Sequence, residues 1–265
     1  MINTLKNKVV WVTGATSGIG EALVYALAEK GAKLVISSRR GDELQKVADK
    51  LKGNDVLVLP LDLADQSNFE ENKNEVLNKF GRIDILINNG GVSQRSLVKD
   101  TIVDVDRKIM ETNYFGTVAL TKVVLPQFLK QGSGKFVVTT STVGKIGTPY
   151  RSGYSASKHA LHGFFDSLRA ELHDNNISVL LVCPGFIQTN ISVNALTATG
   201  DALGTMDKAT AAGLTPQECA RQIINGILSD KQEIVVGGIK EKSVILIKRF
   251  FPHLFSILIR KVSVK

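Results

Sequence analysis

The sequence predicts a doubly wound three-layer α/β sandwich built on a seven-stranded parallel sheet. Seven short runs rich in Val, Ile and Leu recur along the chain, at residues 9–13, 33–38, 56–59, 83–87, 135–140, 177–183 and 233–236. They are apolar at successive positions instead of alternating, the pattern of strands covered on both faces. The segments between them are long enough for crossover helices, and most carry helical periodicity.

Taken in order, the first run leads into a helix over 18–30, where Ile19, Leu23, Ala26 and Leu27 share one face and Gly31 stands at the stop. Helices are expected over 42–51, 66–80, 101–129, 155–173 and 216–229. No internal repeat, low-complexity linker or break in composition divides the chain. At 265 residues it is expected to fold as one domain, 1–265, with 43% hydrophobic and 22% charged residues, ordinary globular values.

The two cysteines, Cys183 and Cys219, form no pair and no metal-ligand spacing. No secretory signal is legible at the start, so a cytoplasmic protein is expected. The net charge of +8 is uneven: residues 239–265 hold seven basic side chains (Lys240, Lys242, Lys248, Arg249, Arg260, Lys261, Lys265) against Glu241. Basic residues gathered on one apolar tail do not make a nucleic-acid surface.

The first strand runs into Thr13-Gly14-Ala15-Thr16-Ser17-Gly18-Ile19-Gly20, after which a helix begins. Gly14 permits a tight turn, Gly18 lets the backbone approach a pyrophosphate, and Gly20 allows close packing. The helix start presents unpaired N–H groups to the anion. At the end of the second strand, Ser37-Ser38-Arg39-Arg40 offers no acid to a ribose 2′-hydroxyl. An Arg fork suits a 2′-phosphate, which favours NADP(H) over NAD(H).

Tyr154 and Lys158 lie four apart near the start of a predicted helix, on one face. A neighbouring ammonium lowers a phenol's pKa from about 10 and makes it a usable acid or base. Ser141 follows the fifth strand at the edge where open α/β sheets place ligands, so its hydroxyl is expected to bind the substrate oxygen beside Tyr154.

Together these residues resemble the classical short-chain dehydrogenase/reductases, in the branch that includes steroid and retinoid reductases, over roughly residues 6–237. The family's TGxxxGxG motif matches Thr13 to Gly20, and YxxxK matches Tyr154 and Lys158. NxxG matches Asn113-Tyr114-Phe115-Gly116, PGxxxT matches Pro184 to Thr189, and Ser141 stands at the usual interval before the Tyr. The resemblance implies a Rossmann-type fold and catalysis by Asn113, Ser141, Tyr154 and Lys158, with Asn113 holding a water that links Lys158 to solvent.

It also implies cofactor contacts from Gly14, Thr16, Ser17, Gly18, Ile19 and Gly20, and from Ser38 and Arg39. Asp62 would meet the adenine, Thr189 would help hold the nicotinamide carboxamide, and Leu63, Asn89, Tyr154, Lys158, Pro184 and Gly185 would complete the set. A homodimer or homotetramer, formed through the helices over 101–129 and 155–173, is implied in the same way. One motif departs: Asn88-Asn89-Gly90-Gly91 has Gly90 where the family usually has Ala, which is expected to enlarge the cleft slightly.

His159 and His162 are read as ordinary helix positions, and Cys183 as a small buried hydrophobe. Residues 190–215 are small and polar, fitting either a mobile substrate lid or a surface excursion. The tail over 243–264 mixes apolar and basic residues around Pro252, with runs far short of the ~20 residues needed to span a bilayer. It fits peripheral contact with an anionic membrane, or packing on the cleft or a neighbouring subunit.

The expected activity is interconversion of a carbonyl and an alcohol with NADP(H), on a small molecule that membrane contact would make lipophilic. The competing expectation is a non-catalytic NADP(H) sensor or membrane scaffold, which would need none of the acid/base set.

Overall fold

The structure, a computed structural model, describes residues 2–260. The seven strands form one parallel sheet: β1 (Val9–Thr13), β2 (Lys33–Ser37), β3 (Val56–Val58), β4 (Ile85–Asn88), β5 (Gly134–Thr139), β6 (Ile177–Pro184) and β7 (Glu233–Val236). Their spatial order is β3-β2-β1-β4-β5-β6-β7. Val12 of β1 therefore pairs with Ile36 on one side and Ile87 on the other. The order reverses between β1 and β4, and a crevice opens there beyond the carboxyl ends of the strands.

Ten α-helices occur among the described residues: α1 (Gly18–Glu29), α2 (Gly41–Asp49), α3 (Phe69–Phe80), α4 (Val103–Met110), α5 (Gly116–Gln131), α6 (Ser152–Glu171), α7 (Lys208–Ala211), α8 (Pro216–Leu228), α9 (Ile239–Phe250) and α10 (Pro252–Ile259). Successive strand residues feed opposite layers. Val10, Val12, Ile85 and Ile87 pack with Leu23 and Leu27 of α1, Leu44 of α2 and Ile223 of α8. Trp11, Leu86 and Val138 pack with Phe69 of α3, Leu120 and Phe128 of α5, and Phe165 of α6. Buried on both faces, these strands satisfy the unalternating pattern of the sequence.

Four local expectations are revised. The helix expected over 101–129 is broken by one π-helical turn, Glu111–Phe115, between α4 and α5. The turn carries Asn113, whose side chain accepts from the Val92 N–H at 2.8 Å and donates to the Val92 carbonyl at 2.9 Å, as a strand partner would. Just beyond it, a Cβ on Gly116 would stand 2.0 Å from the Leu63 carbonyl oxygen, so backbone meets backbone there. Second, α6 begins at Ser152, which brings Tyr154 into its first turn.

Third, residues 190–215 are neither bare excursion nor loosely hung lid. Leu196 bridges to Gln94 and Ala202, and Ile187 to Leu214. Asp207 is buried against Arg95 in an ion pair that spans 112 residues of sequence. The anchors are ionic and backbone, which explains why few bulky side chains are needed.

Fourth, the tail forms two helices, α9 and α10, with Pro252 at the first turn of the second, where its missing N–H costs nothing. No residue of α9 is buried, and Phe255 is the buried residue of α10. Leu246, Phe250, Phe251 and Leu254 stay exposed. No helix among the described residues is long and apolar enough to cross a membrane. The tail residues 261–264, and Lys265, lie outside the described residues.

Candidate active site

The glycine-rich turn sits at the mouth of the crevice. Gly14 and Gly18 have φ of +65° and +57°, the left-handed region that favours glycine. A Cβ on Gly20 would stand 2.1 Å from the Gly14 carbonyl oxygen, so its bare Cα is what lets α1 close against the turn. Thr13 ties the turn to the β4 edge, its hydroxyl accepting from the N–H groups of Asn89 and Gly90 at 3.0 Å each. Ser17 does not cap α1 with its side chain, so the helix start faces the cleft uncapped by that hydroxyl.

Thr16, Ser17, Gly18 and Ile19 line a cleft of about 560 Å³ that continues past Ser38, Arg39, Arg40, Asp62 and Leu63. Arg39 and Arg40 are exposed, and Arg39 has no ion pair among the described residues. Asp62 turns its carboxylate onto the Ala64 N–H at 3.0 Å, which fixes the loop after β3.

The same cleft is lined by Asn89 and Thr189, which stand against the glycine turn, and by Ser141, Tyr154, Lys158, Pro184 and Gly185. Ser141 caps a 3-10 turn after β5 by accepting from the Val143 N–H at 3.3 Å, and donates to the Pro184 carbonyl at 3.3 Å. Lys158 is buried and donates to the Thr139 carbonyl at 2.9 Å, its Nζ 5.8 Å from the Tyr154 ring centre. Burial pulls its pKa down to about 8.

Asn113 is fully buried and donates to the Ser157 hydroxyl at 3.0 Å. A Cβ on Gly91 would lie 2.9 Å from Asn113 Oδ1 and 3.5 Å from Lys158 Nζ, so a glycine brings the two together. The glycines thus leave a cradle in the same cleft into which Ser141, Tyr154 and Lys158 open. A dinucleotide needs both a cradle for its phosphates and side chains that meet its reacting ring.

The model of the short chain dehydrogenase family matches residues 8–199. The chain belongs to the short-chain dehydrogenase family. It is 43% identical to the Dehydrogenase/reductase SDR family protein 7-like of Drosophila melanogaster, over 99% of this chain and 82% of that one. It is also 43% identical to Dehydrogenase/reductase SDR family member 7B of Mus musculus, over 95% and 80%. A short-chain dehydrogenase/reductase from Burkholderia phymatum, solved in complex with NAD, has the same fold at a TM-score of 0.86 and 23% identity, covering 96% of both chains. An alcohol dehydrogenase from the archaeon Thermococcus sibiricus, complexed with 5-hydroxy-NADP, gives 0.75 and 26%, over 88% of this chain and 97% of that one.

Two features of this family member differ from the expectations. Gly90 does not widen the cleft, because a Cβ there would fall 2.7 Å from Leu63 Cδ1: the leucine tip already fills the missing methyl's place. The Tyr154 phenol is also not lowered as expected, although the Lys158 ammonium stands 5.8 Å from its ring centre. Burial raises the phenol above its usual value, and Arg151, the hydrogen-bonded Ser141 hydroxyl and Arg95 pull it back. The net direction is upward, so the phenol holds its proton at neutral pH.

Arg95, Arg151, Asp207 and Gln94 had no place in the sequence reading. Gln94 is buried, and its side-chain oxygen accepts from the N–H groups of Gly153 and Tyr154 at 2.8 and 3.3 Å, fixing the start of α6. The residues set aside behave as expected. His162 lies 3.7 Å from Cys183 Sγ and is held neutral, its pKa lowered to about 4 by burial. Burial pushes Cys183 up to about 12. No group of residues able to hold a metal occurs among the described residues.

Proposed function

We propose that this short-chain dehydrogenase interconverts a carbonyl and an alcohol with NADP(H), with Tyr154 moving the proton. The observation that supports this best is the opening of Ser141, Tyr154 and Lys158 onto the same cleft as the three-glycine turn. Gly14 to Gly20 and the start of α1 would hold the pyrophosphate, Asp62 and Leu63 the adenine end, and Thr189, beside Gly18, the nicotinamide end. When bound, the reduced nicotinamide supplies a hydride to the carbonyl carbon. Tyr154 then gives its proton to the oxygen, whose developing charge Ser141 stabilises by a hydrogen bond. Asn113 and Lys158 would return the proton through water.

Arg39 supports the phosphorylated cofactor, because nothing acidic stands beside it at the end of β2. Arg39→Ala is expected to weaken NADPH at least ~10-fold and NADH less than ~2-fold in fluorescence titrations. An equal loss for both would refute this role. The function itself is tested by NADPH oxidation across a panel of aldehydes, ketones, ketosteroids and 3-ketoacyl thioesters. Turnover on some member establishes a reductase; tight NADPH binding without turnover favours the non-catalytic sensor.

The exposed apolar residues of α9 and α10 beside Lys248 and Arg249 favour peripheral contact with an anionic membrane, and with it a lipophilic substrate. Phe250→Ser with Phe251→Ser is expected to abolish sedimentation with phosphatidylserine vesicles; undiminished sedimentation would rule the contact out. Phe115, at the end of the π-helical turn, is exposed and stands edge-on to Tyr114, which meets Phe164 of α6; this supports a homo-oligomer through that face.

A further inference from the structure

Beside Tyr154 the cleft holds more buried positive charge than the fold pairs. Arg95 is fully engaged: its guanidinium makes two hydrogen bonds to Asp207, one at 2.8 Å, and bonds Ser93 Oγ at 2.9 Å and the Gln94 carbonyl at 2.6 Å. Arg95 holds one oxygen of Asp207, the acid of the cluster. Arg151 shares that oxygen at a longer distance. It is 7% exposed, lies 3.6 Å from the same carboxylate oxygen, and its buried Nε has no hydrogen-bond partner.

The guanidinium stacks 5.4 Å from the Phe186 ring centre, and Arg95, Arg151, Tyr154, Ser141 and Phe186 all line the cleft. The charged and titratable groups acting on Arg151 are Arg95, Tyr154 and Asp207. Burial and Arg95 lower it to about 10, which leaves it a cation at neutral pH.

The backbone holds this arginine in place at a cost. Tyr150, just before it, has φ of +66°, strained for a non-glycine residue, and its carbonyl accepts from the Ser96 N–H at 3.1 Å. A buried cation that must share its one paired carboxylate with a second arginine is costly in a fold, and Arg is the side chain best shaped to grip a carboxylate or phosphate. The cofactor's phosphates are not placed to answer this charge, since the groups nearest Gly14 and Gly18 of their cradle are Asn89, Gly90 and Thr189, not Arg151.

We infer that Arg151, backed by the Arg95–Asp207 pair, is the anion-binding subsite of the substrate pocket, so that the natural substrate is a ketone or alcohol bearing a carboxylate or phosphate near the reacting carbon. Arg151 stands three residues before Tyr154 at the start of one helix, which places the anion a few bonds from the carbonyl that Tyr154 protonates. This specifies the substrate of the proposed reductase and rests on that reading for its turnover test, though not for its binding test.

The test uses matched pairs: acetoacetate with its ethyl ester, and 2-oxopropylphosphonate with its dimethyl ester. For the wild type, kcat/KM is expected to be at least ~10-fold higher for the anionic member of a pair. In Arg151→Met the anionic-to-neutral ratio is expected to fall ~100-fold, carried mainly by KM. Any effect exerted through Tyr154 is common to both members and cancels in the ratio. Arg151→Lys, which keeps the charge without the fork, should recover part of the ratio.

Calorimetric titration of the NADPH-bound enzyme with 2-oxopropylphosphonate and acetoacetate reads the subsite without turnover and tells a phosphate site from a carboxylate site. Binding to the wild type that is lost in Arg151→Met, with no reduction of any ketone, supports the subsite and overturns the reductase. Reduction of the neutral esters with no binding of either anion overturns the subsite and leaves the reductase standing. A ratio unchanged by Arg151→Met also overturns it.

Discussion

Tyr154→Phe is expected to lower kcat at least ~1,000-fold in the NADPH oxidation assay while the NADPH dissociation constant changes less than ~3-fold. The substitution removes one hydroxyl and leaves the ring in the cleft wall, 5.8 Å from Lys158 Nζ. What disappears is the proton donor, and the Ser141 hydroxyl, a far weaker acid than a phenol, cannot replace it. The raised pKa of Tyr154 adds a pH signature. A phenol protonated at neutral pH is ready for carbonyl reduction, whereas alcohol oxidation needs it deprotonated. Oxidation should therefore rise with alkalinity, and reduction should stay level until the phenol ionises. A Tyr154→Phe enzyme with comparable turnover would remove Tyr154 from the chemistry.

Gly20→Ala is expected to weaken NADPH binding by ~100-fold. The added methyl would stand 2.1 Å from the Gly14 carbonyl oxygen and 2.7 Å from Asn89 Nδ2. The first of these is backbone in a left-handed turn, so no rotamer change relieves it, and α1 must draw back from the phosphate cradle. Overpacking of this kind costs roughly 1–3 kcal/mol, and its upper range corresponds to about 100-fold in affinity. Gly147→Ala, where a Cβ meets nothing within 4 Å, is the control and should bind NADPH as the wild type does. Equal affinities in all three proteins would mean that the turn does not carry the cofactor.

The strands were legible because their signal is local: a run buried on both faces is apolar at successive positions, as Val9, Val10, Trp11 and Val12 show. The glycine turn was legible for a similar reason, since close backbone approach leaves glycine few substitutes. What stayed hidden depends on contacts between distant segments. The π-helical turn keeps a helical periodicity and shows itself only when Asn113 meets Val92. The Arg95–Asp207 pair joins residues 112 apart, and in the sequence both look like ordinary surface charges.

Arg151 gives no signal in the sequence for the same reason, although it is buried and lines the same cleft as Tyr154. The cation assigned to the tyrosine was Lys158, because a four-residue spacing is visible in a sequence. The influence of Arg151 and Arg95 becomes visible only once the segment over 190–215 folds back over α6 and closes the cluster with Asp207.

The central claim is hydride transfer at this cleft. It is tested most directly by incubating the enzyme with NADPH deuterated at the transferable C4 position and a ketone of the panel, and reading the alcohol by mass spectrometry. One deuterium on the carbinol carbon is expected with the wild-type enzyme and none above background with Tyr154→Phe. Tight NADPH binding with no deuterium transferred to any carbonyl compound would contradict it.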